Sequence, residues 1–369
     1  MRIMKKSTIG NTIKLTALSY MVAMAGMVLL VNSCSKSTPS ATKIAASESS
    51  LQVNKVAAAQ PLQQNAPETN TVTIAAIRKS SDGTGNEVMF NELAELFTVY
   101  DAAVLNTLQN ALENNHVVSV KTDPWNGVVL YANVVTATEE QAHLSREIIS
   151  APGSAIPVNL ATMNPDVING ATAAMSILNT STPGLTNVIP DMATAQLMFD
   201  YIVKQCCALP SPYGIDHCIS FQYCQDGCYA RAHKMCWILN NRYHYATHKI
   251  FSFANAGSDR LSVKCLKWGG CCVTWWYHVA PLVNIKTPTG VKAFVFDAAM
   301  FDQPVLLATW LHAQENPACS GTARVSMINI QPTASYSPSG YSGLTFNTDP
   351  TYSSTNSTLI SYSTRHTCY

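Results

Sequence analysis

Hydrophobic and polar positions divide the chain into segments of distinct texture. Leu15 to Val31 is an apolar run without a charge, preceded by Arg2, Lys5, Lys6 and Lys14. Residues 34–70 are rich in Ala, Ser, Thr, Gln and Asn and keep no period, as a linker does. Thr71 to Ile77 alternates loosely, which suits a strand. Phe90, Leu93, Leu96, Phe97, Tyr100, Val104, Leu108 and Leu112 recur at three- and four-residue spacing, which predicts a helix from Phe90 to Asn114. His116–Val120 and Val128–Val135 are β-branched runs separated by the turn sequence Asp123-Pro124-Trp125-Asn126-Gly127. Residues 71–135 therefore read as a small α+β unit. Residues 136–184 form a second linker, heavy in Pro, Ser, Thr, Asn and Gly. From Leu185 the pattern predicts a helix opened by Pro190-Asp191 and running to Lys204, and a short strand at Ile219–Tyr223. A turn at Asp226-Gly227, a helix at Cys228–Asn240 and strands at Val273–Ile285 and Val291–Phe296 follow. Beyond Gln331 the chain is Ser-, Thr-, Tyr-, Asn- and Pro-rich, irregular or β, with Cys368 to pin its end.

The leader changes the picture first. A basic start, an apolar run and then Val31-Asn32-Ser33-Cys34 follow the plan of a signal peptide over residues 1–33, with a cysteine at the cleavage point. This resembles a bacterial lipobox, which makes Cys34 the lipid-bearing first residue. An uncleaved anchor is the alternative, but the run is short for a span and no basic stop signal follows it. The expectation is an exported, lipid-anchored precursor at the cell envelope, touching membrane only through that lipid, with the mature domain released outside the cell.

Composition is 47% hydrophobic and 12% charged, enough for sizeable cores, and the length after the leader suits two domains. No basic cluster or stripe is present, so no nucleic-acid partner is expected. Charge is divided: residues 35–184 hold 7 Lys/Arg and 13 Asp/Glu, residues 185–369 hold 12 and 9. Cysteine is divided more sharply. Apart from Cys34, all cysteines lie between Cys206 and Cys368. That reads as a disulfide-rich domain over 185–369, with the odd count leaving one thiol free. Setting Cys228 aside, the others suffice for five bridges, with Cys224–Cys236 offered as one of them. No compact Cys-x2-Cys pair matches a structural zinc site, and no metal or cofactor is implied.

The candidate chemistry gathers on three residues. Cys228 follows Asp226-Gly227 at a helix start, where free N–H groups and the dipole favour a thiolate and hold an oxyanion. Arg231, three residues on, adds positive charge or makes a structural ion pair. His278 lies on a predicted strand, sharing a face with Trp276 and Ala280 by alternation. Asp297 ends the next strand. A hairpin over Lys286-Thr287-Pro288-Thr289-Gly290, centred between Thr287 and Pro288, sets His278 opposite Asp297 with Cβ atoms about 5 Å apart. Nucleophile, base and orienting carboxylate in the order Cys, His, Asp suit a papain- or transglutaminase-like α+β fold, in which a helix bearing the cysteine packs on an antiparallel sheet.

Val188-Ile189-Pro190-Asp191, the run from Asp226 to Met235, Cys271-Cys272-Val273, Trp275 and Tyr277-His278-Val279-Ala280 resemble the secreted bacterial protein-glutaminases. The likeness covers about 185–330 well and the tail poorly, and 71–135 is similar, less distinctly, to that family's inhibitory pro-domain. The resemblance implies Cys228 as nucleophile, His278 as base and Asp297 as its orienter. It also implies a pro-enzyme cut between Gly184 and Leu185 by an activating protease. The chain departs from the family pattern at Cys224 and Cys236, which flank the nucleophile where the family has no cysteine, and at Trp276, where a small residue is usual. The lipobox is a further departure.

The implied reaction is deamidation of glutamine side chains in proteins or peptides through a thioester, with no cofactor. Trp275, Trp276 and Tyr277 are candidate walls of a substrate groove, or core. A transglutaminase or cysteine protease would use the same three residues. A non-catalytic surface lipoprotein with every cysteine structural remains the alternative outside enzymes.

Overall fold

In the computed structural model the described residues are 67–123, 126–144, 148–150, 156–162, 184–209, 215–255, 257–341 and 345–368. The leader, Cys34, the tether before residue 67 and most of the second linker lie outside them. The described residues all fall in one unit, Gln60–Tyr369.

The first half contains β1 (Glu68–Val72), β2 (Ile74–Lys79), β3 (Asn86–Phe90), β4 (Leu93–Val99), α1 (Ala102–Asn114), β5 (Val118–Asp123), β6 (Val128–Val134) and α2 (Ala137–Leu144). The helix predicted from Phe90 begins only at Ala102, where the Asp101 carboxylate caps it by accepting the N–H groups of Ala103 and Val104 at 2.8 and 2.9 Å. Phe90–Val99 instead forms a tight hairpin, with Phe90 paired to Leu93 across the tip Asn91-Glu92. Both faces of β4 are covered, so only Thr98 is not fully buried. A strand buried on both sides loses its two-residue alternation, and four apolar residues at helical spacing then mimic a helix. The tip is braced. The Glu92 carboxylate accepts the Thr73 N–H and hydroxyl, each at 2.9 Å, and pairs with His143 Nε2 at 2.8 Å.

The second half supplies β9 (Val188–Ile189), α3 (Met192–Val203), α4 (Cys228–Asn241), β10 (His248–Phe253), β11 (Leu261–Lys264), β12 (Cys272–Trp275), β13 (Tyr277–Thr287), β14 (Gly290–Val295) and β15 (Val305–Leu306). After these come α5 (Leu307–His312), β16 (Met327–Pro332), β17 (Ser335–Pro338), β18 (Thr345–Thr348) and α6 (Ser353–Ser361). Between the halves lie β7 (Ile148–Ser150) and β8 (Ile156–Pro157). The central sheet runs β15-β14-β13-β10-β16-β8, antiparallel throughout, with β9 parallel to β13. The cysteine-bearing helix α4 packs against β13. This is the α+β arrangement expected of a helix bearing the thiol on an antiparallel sheet. A second sheet, β1-β5-β6-β4-β12-β11, crosses from one half to the other where Glu95 pairs with Trp275.

Two readings of the second half change. The single strand over Val273–Ile285 is two strands in different sheets, broken at Trp276. Ile219–Tyr223 is not a strand; Ile219 makes one parallel bridge to Cys206. The tail is β as expected and adds a helix: beyond Gln331 the described residues hold β17, β18 and α6, and the Cys271–Cys368 disulfide pins its end.

The bridges are Cys207–Cys218, Cys271–Cys368 and Cys272–Cys319. Cys206, Cys224, Cys228, Cys236 and Cys265 carry free thiols. Five bridges and a Cys224–Cys236 pair were therefore the wrong expectation. Cys236 turns toward the His248 carbonyl on β10, while Cys224 lies in the loop before α4 and meets Cys265.

Opposite charges meet between the halves at two places. Glu87, almost fully buried, takes Arg78 at 2.6 Å and Arg260 from the second half. Glu68 takes Arg365. Arg78 also donates to the carbonyls of Asn255 and Asp259, at 2.8 and 2.7 Å.

Candidate active site

The chain enters α4 through Gly227, at φ 80°, a left-handed conformation that a side chain resists. A Cβ there would also lie 2.8 Å from the Tyr362 ring. Gly227 thus allows Cys228 to be the first helical residue, and no side chain caps the helix start. Arg231 fixes the loop ahead of it, donating to the carbonyls of Tyr223 and Asp226 at 2.7 and 2.6 Å. The Cys228 thiol accepts the backbone N–H of Val279, the residue after His278. Burial pushes this thiol well above its ordinary range, and the Arg231 charge opposes that only in part.

His278 Nε2 and Asp297 Oδ2 are 2.7 Å apart, both side chains almost fully buried. Trp310 Nε1 donates to the same carboxylate oxygen at 2.9 Å. Burial alone would raise the Asp297 pKa; the charge of His278 and the hydrogen bonds from His278 and Trp310 outweigh it and leave the carboxyl below its ordinary value. The other imidazole nitrogen, Nδ1, is buried without a hydrogen-bond partner. Trp275 stacks on the imidazole at 4.3 Å and 9°. Its own N–H donates to the carbonyls of Cys224 and Gln225, at 3.0 and 2.9 Å, so it couples the base to the loop before the thiol.

The contact between His278 and Asp297 forms by a different register from the expected one. The hairpin pairs Leu282 with Val295 and Thr287 with Gly290, which centres it between Pro288 and Thr289. Asp297 lies beyond the end of β14, displaced by two residues from the position facing His278. A two-residue displacement keeps side chains on the same face, so the diagonal neighbours still meet.

The β3–β4 hairpin covers this site. The Ala94 N–H donates to Asp226 Oδ1 at 2.7 Å, and the Ala94 carbonyl accepts the Trp276 N–H at 3.1 Å. Trp276 Nε1 donates to the carbonyls of Phe90 and Leu93, at 3.1 and 2.8 Å. Oδ2 of Asp226 accepts the hydroxyls of Tyr362 at 2.8 Å and Tyr229 at 3.1 Å. Beside the hairpin a cavity of about 400 Å³ is lined by Tyr229, Tyr336 and Tyr362 facing Val72, Glu92 and Leu93.

A family model described as glutaminase matches residues 195–314, the stretch holding Cys228, His278 and Asp297. The crystal structure of pro-protein-glutaminase is similar, at 24% identity over 82% of this chain and 95% of that one, with a TM-score of 0.59. A mutant of the same pro-form matches at 24% identity over the same shares, with a TM-score of 0.60. The NMR structure of protein-glutaminase from Chryseobacterium proteolyticum shares 35% identity over 50% of this chain and 93% of that one, with a TM-score of 0.43. The chain belongs to the protein-glutaminase family. No curated protein matches it.

Within this protein-glutaminase fold the three candidate wall residues separate. Trp275 packs on His278, Tyr277 is buried against Phe251 and Phe253, and Trp276 meets the hairpin. Gly184 is exposed and Leu185 is half-buried; Cys34 lies outside the described residues. Asp226, Tyr362 and Trp310 were missed as site residues. Asp226 carries a signal, a carboxylate two residues before the thiol, but Asp-Gly is also ordinary turn chemistry. Tyr362 and Trp310 reach the site from distant elements and leave no local mark in the sequence.

Proposed function

We propose that the chain is the pro-form of an enzyme that hydrolyses protein glutamine side chains to glutamate, releasing ammonia. The observation that carries this is the placing of a helix-start thiol beside the strand that presents the His278–Asp297 pair, under a hairpin held by hydrogen bonds to Asp226 and Trp276. Membership of the protein-glutaminase family supports the choice of substrate.

In the reaction Cys228 gives up its proton to His278 Nδ1, and the thiolate attacks the glutamine carboxamide carbon. N–H groups of the uncapped first turn of α4 hold the developing oxyanion. The imidazolium returns its proton to the departing nitrogen, leaving a thioester and ammonia. His278 then draws a proton from water, whose oxygen attacks the thioester and releases glutamate and the thiol. Asp297 stabilises the imidazolium and fixes which ring nitrogen faces the thiol.

The segment before Leu185 acts as the inhibitor. Its Ala94 takes up the hydrogen bonds of Asp226 and Trp276, and its hairpin keeps water from Cys228. A protease frees the enzyme by cutting the second linker, and Cys34 with its lipid holds the precursor at the cell envelope.

The test is incubation of the processed protein with a glutamine-rich protein, following ammonia and peptide mass. Free ammonia with a gain of about 1 Da per modified glutamine is expected, the mass difference of an amide turned acid. Cross-linked adducts would point to transglutamination, fragments to proteolysis, and no change to a non-catalytic chain.

A further inference from the structure

Cys224 and Cys265 are far apart in sequence, both almost fully buried, and their thiols hydrogen-bond to each other. Their backbones are fixed independently. The Cys224 N–H donates to the Thr367 hydroxyl, next to the Cys271–Cys368 bridge, and its carbonyl accepts Trp275 Nε1 at 3.0 Å. Cys265 donates its N–H to the Cys271 carbonyl at 2.9 Å and accepts the N–H groups of Trp268 and Gly270, at 3.0 and 2.8 Å. Cys224 Sγ is 3.9 Å from the Ala299 carbonyl, which also accepts Nε1 of Trp268, in the turn that follows Cys265, at 3.2 Å. Two formed bridges, Cys271–Cys368 and Cys272–Cys319, start from the turn that follows Cys265.

We propose that Cys224 and Cys265 form a fourth disulfide, whose role is to leave Cys228 as the reactive thiol of its loop. A chain that carries three disulfides folds where thiols are oxidised. The co-reactant is a disulfide oxidant, either a small-molecule disulfide or a thiol–disulfide oxidoreductase. One of the two thiolates attacks an oxidant sulfur, giving a mixed disulfide and releasing one thiolate. The second thiolate attacks the chain's sulfur in that mixed disulfide and releases the other. The pair loses two electrons and two protons, and the oxidant becomes two thiols. Because both residues are buried in the fold, exchange occurs as the chain folds. Without this partner, Cys224 would be a free thiol four residues from the nucleophile, open to pairing with it while the α4 loop is unformed. The bridge also ties that loop to β11, beside the stacked pair Trp275 and His278.

The test uses the full-length exported protein purified without reductant. It is denatured in excess iodoacetamide, digested without reduction and mapped by mass. A Cys224–Cys265 peptide pair is expected, two hydrogens lighter than the separate thiol peptides, with Cys228 alkylated. The proposal is overturned if Cys224 and Cys265 are both alkylated while Cys271–Cys368 and Cys272–Cys319 are intact, or if Cys224 is bonded to Cys206, Cys228 or Cys236. The variant Cys265→Ser tests the protective role. When it is refolded with oxidised glutathione, a Cys224–Cys228 peptide should appear that wild type lacks. Equal amounts of that peptide in both proteins would overturn the role. The mapping reads bonds rather than turnover, so it stands or falls apart from the deamidase reading.

Discussion

Ala94 donates its backbone N–H to Asp226 Oδ1 at 2.7 Å, two residues ahead of Cys228. Ala94 is fully buried and its carbonyl is held by Trp276, so the position has no room for a larger or charged side chain. Ala94→Glu would place a second carboxylate against Asp226 and lift the hairpin from the site. The unprocessed variant should release ammonia from protein glutamine at least roughly tenfold faster than unprocessed wild type, the effect of about 1.4 kcal/mol of lost docking. Its Cys228 should also alkylate faster with iodoacetamide. Ala94→Gly, which keeps the N–H and the carbonyl, should stay latent. An Ala94→Glu protein as latent as wild type would mean the hairpin is not the barrier.

Much of the catalytic half was legible because its signals are local. Gly227 before Cys228 marks a helix start, Asp191 caps α3 through the Thr194 N–H, and the turn residues between β13 and β14 mark a hairpin. The His278–Asp297 contact survived a register displaced by two because the period of a strand is two; a displacement by one would have lost it. What was not legible depends on tertiary burial. The β3–β4 hairpin looked helical because both faces of β4 are covered, one of them by a half of the chain almost two hundred residues away. Trp276 broke a seemingly continuous strand because its indole N–H is drawn to Phe90 and Leu93, a preference that nothing near it in sequence announces. Counting cysteines gave one free thiol, whereas pairing depends on which sulfurs the folded backbone brings together.

Release of the first half after cleavage should be faster at higher pH. Glu95 is buried on β4, and burial, then the charges of Asp226 and Asp123, raise its pKa well above the ordinary 4.5. The cavity beside it also holds Glu87 and Arg260. Asp226 is raised as well, by burial, against the pull of its hydrogen bonds from Ala94 and Tyr362. A carboxyl whose docked pKa is raised binds its proton more tightly when docked. Docking is therefore strongest below the ordinary value and weakens as pH rises through the raised one. Glu95→Gln removes the charge and keeps the shape. The cut variant should hold its first half several-fold longer than cut wild type at pH 8, and nearly equally at pH 4, with dissociation followed by gel filtration. Equal release rates at pH 8 would show that Glu95 does not govern docking.

Asp297→Asn should lower kcat by about three to four orders of magnitude in the processed enzyme, with KM little changed, since an amide still contacts the imidazole but neither fixes its tautomer nor stabilises its charge. Trp310 Nε1 now meets a group that also donates, so a loss of about 1–3 kcal/mol in stability is expected as well. The two effects separate by measurement: turnover at saturating substrate reads the first, and urea unfolding the second. An Asn variant with near wild-type kcat would remove Asp297 from the mechanism.

The cut that frees the enzyme should fall at Gly184–Leu185 and leave the lipid on the discarded piece. Gly184 is exposed and left-handed at φ 83°, and the sequence before it is polar, of the kind that proteases cut. Immediately after it the chain is tied down. The Thr186 N–H donates to the His244 carbonyl at 2.8 Å, Ala246 returns a bond to Thr186 at 2.9 Å, and β9 pairs with β13 from Val188. A chain starting at Leu185 thus keeps every contact that holds its own start, whereas a cut inside β9 would strip an edge from the strand carrying His278. Cys34 lies on the other side of the cut. Limited proteolysis of the lipidated precursor should therefore yield a fragment whose first residue is Leu185 and which partitions into water, while a lipid-bearing fragment stays in detergent. Ammonia-releasing activity should rise in step with the soluble fragment. A soluble fragment beginning beyond Val188, or activity that stays with the detergent phase after complete cleavage, would place either the cut or the lipid elsewhere.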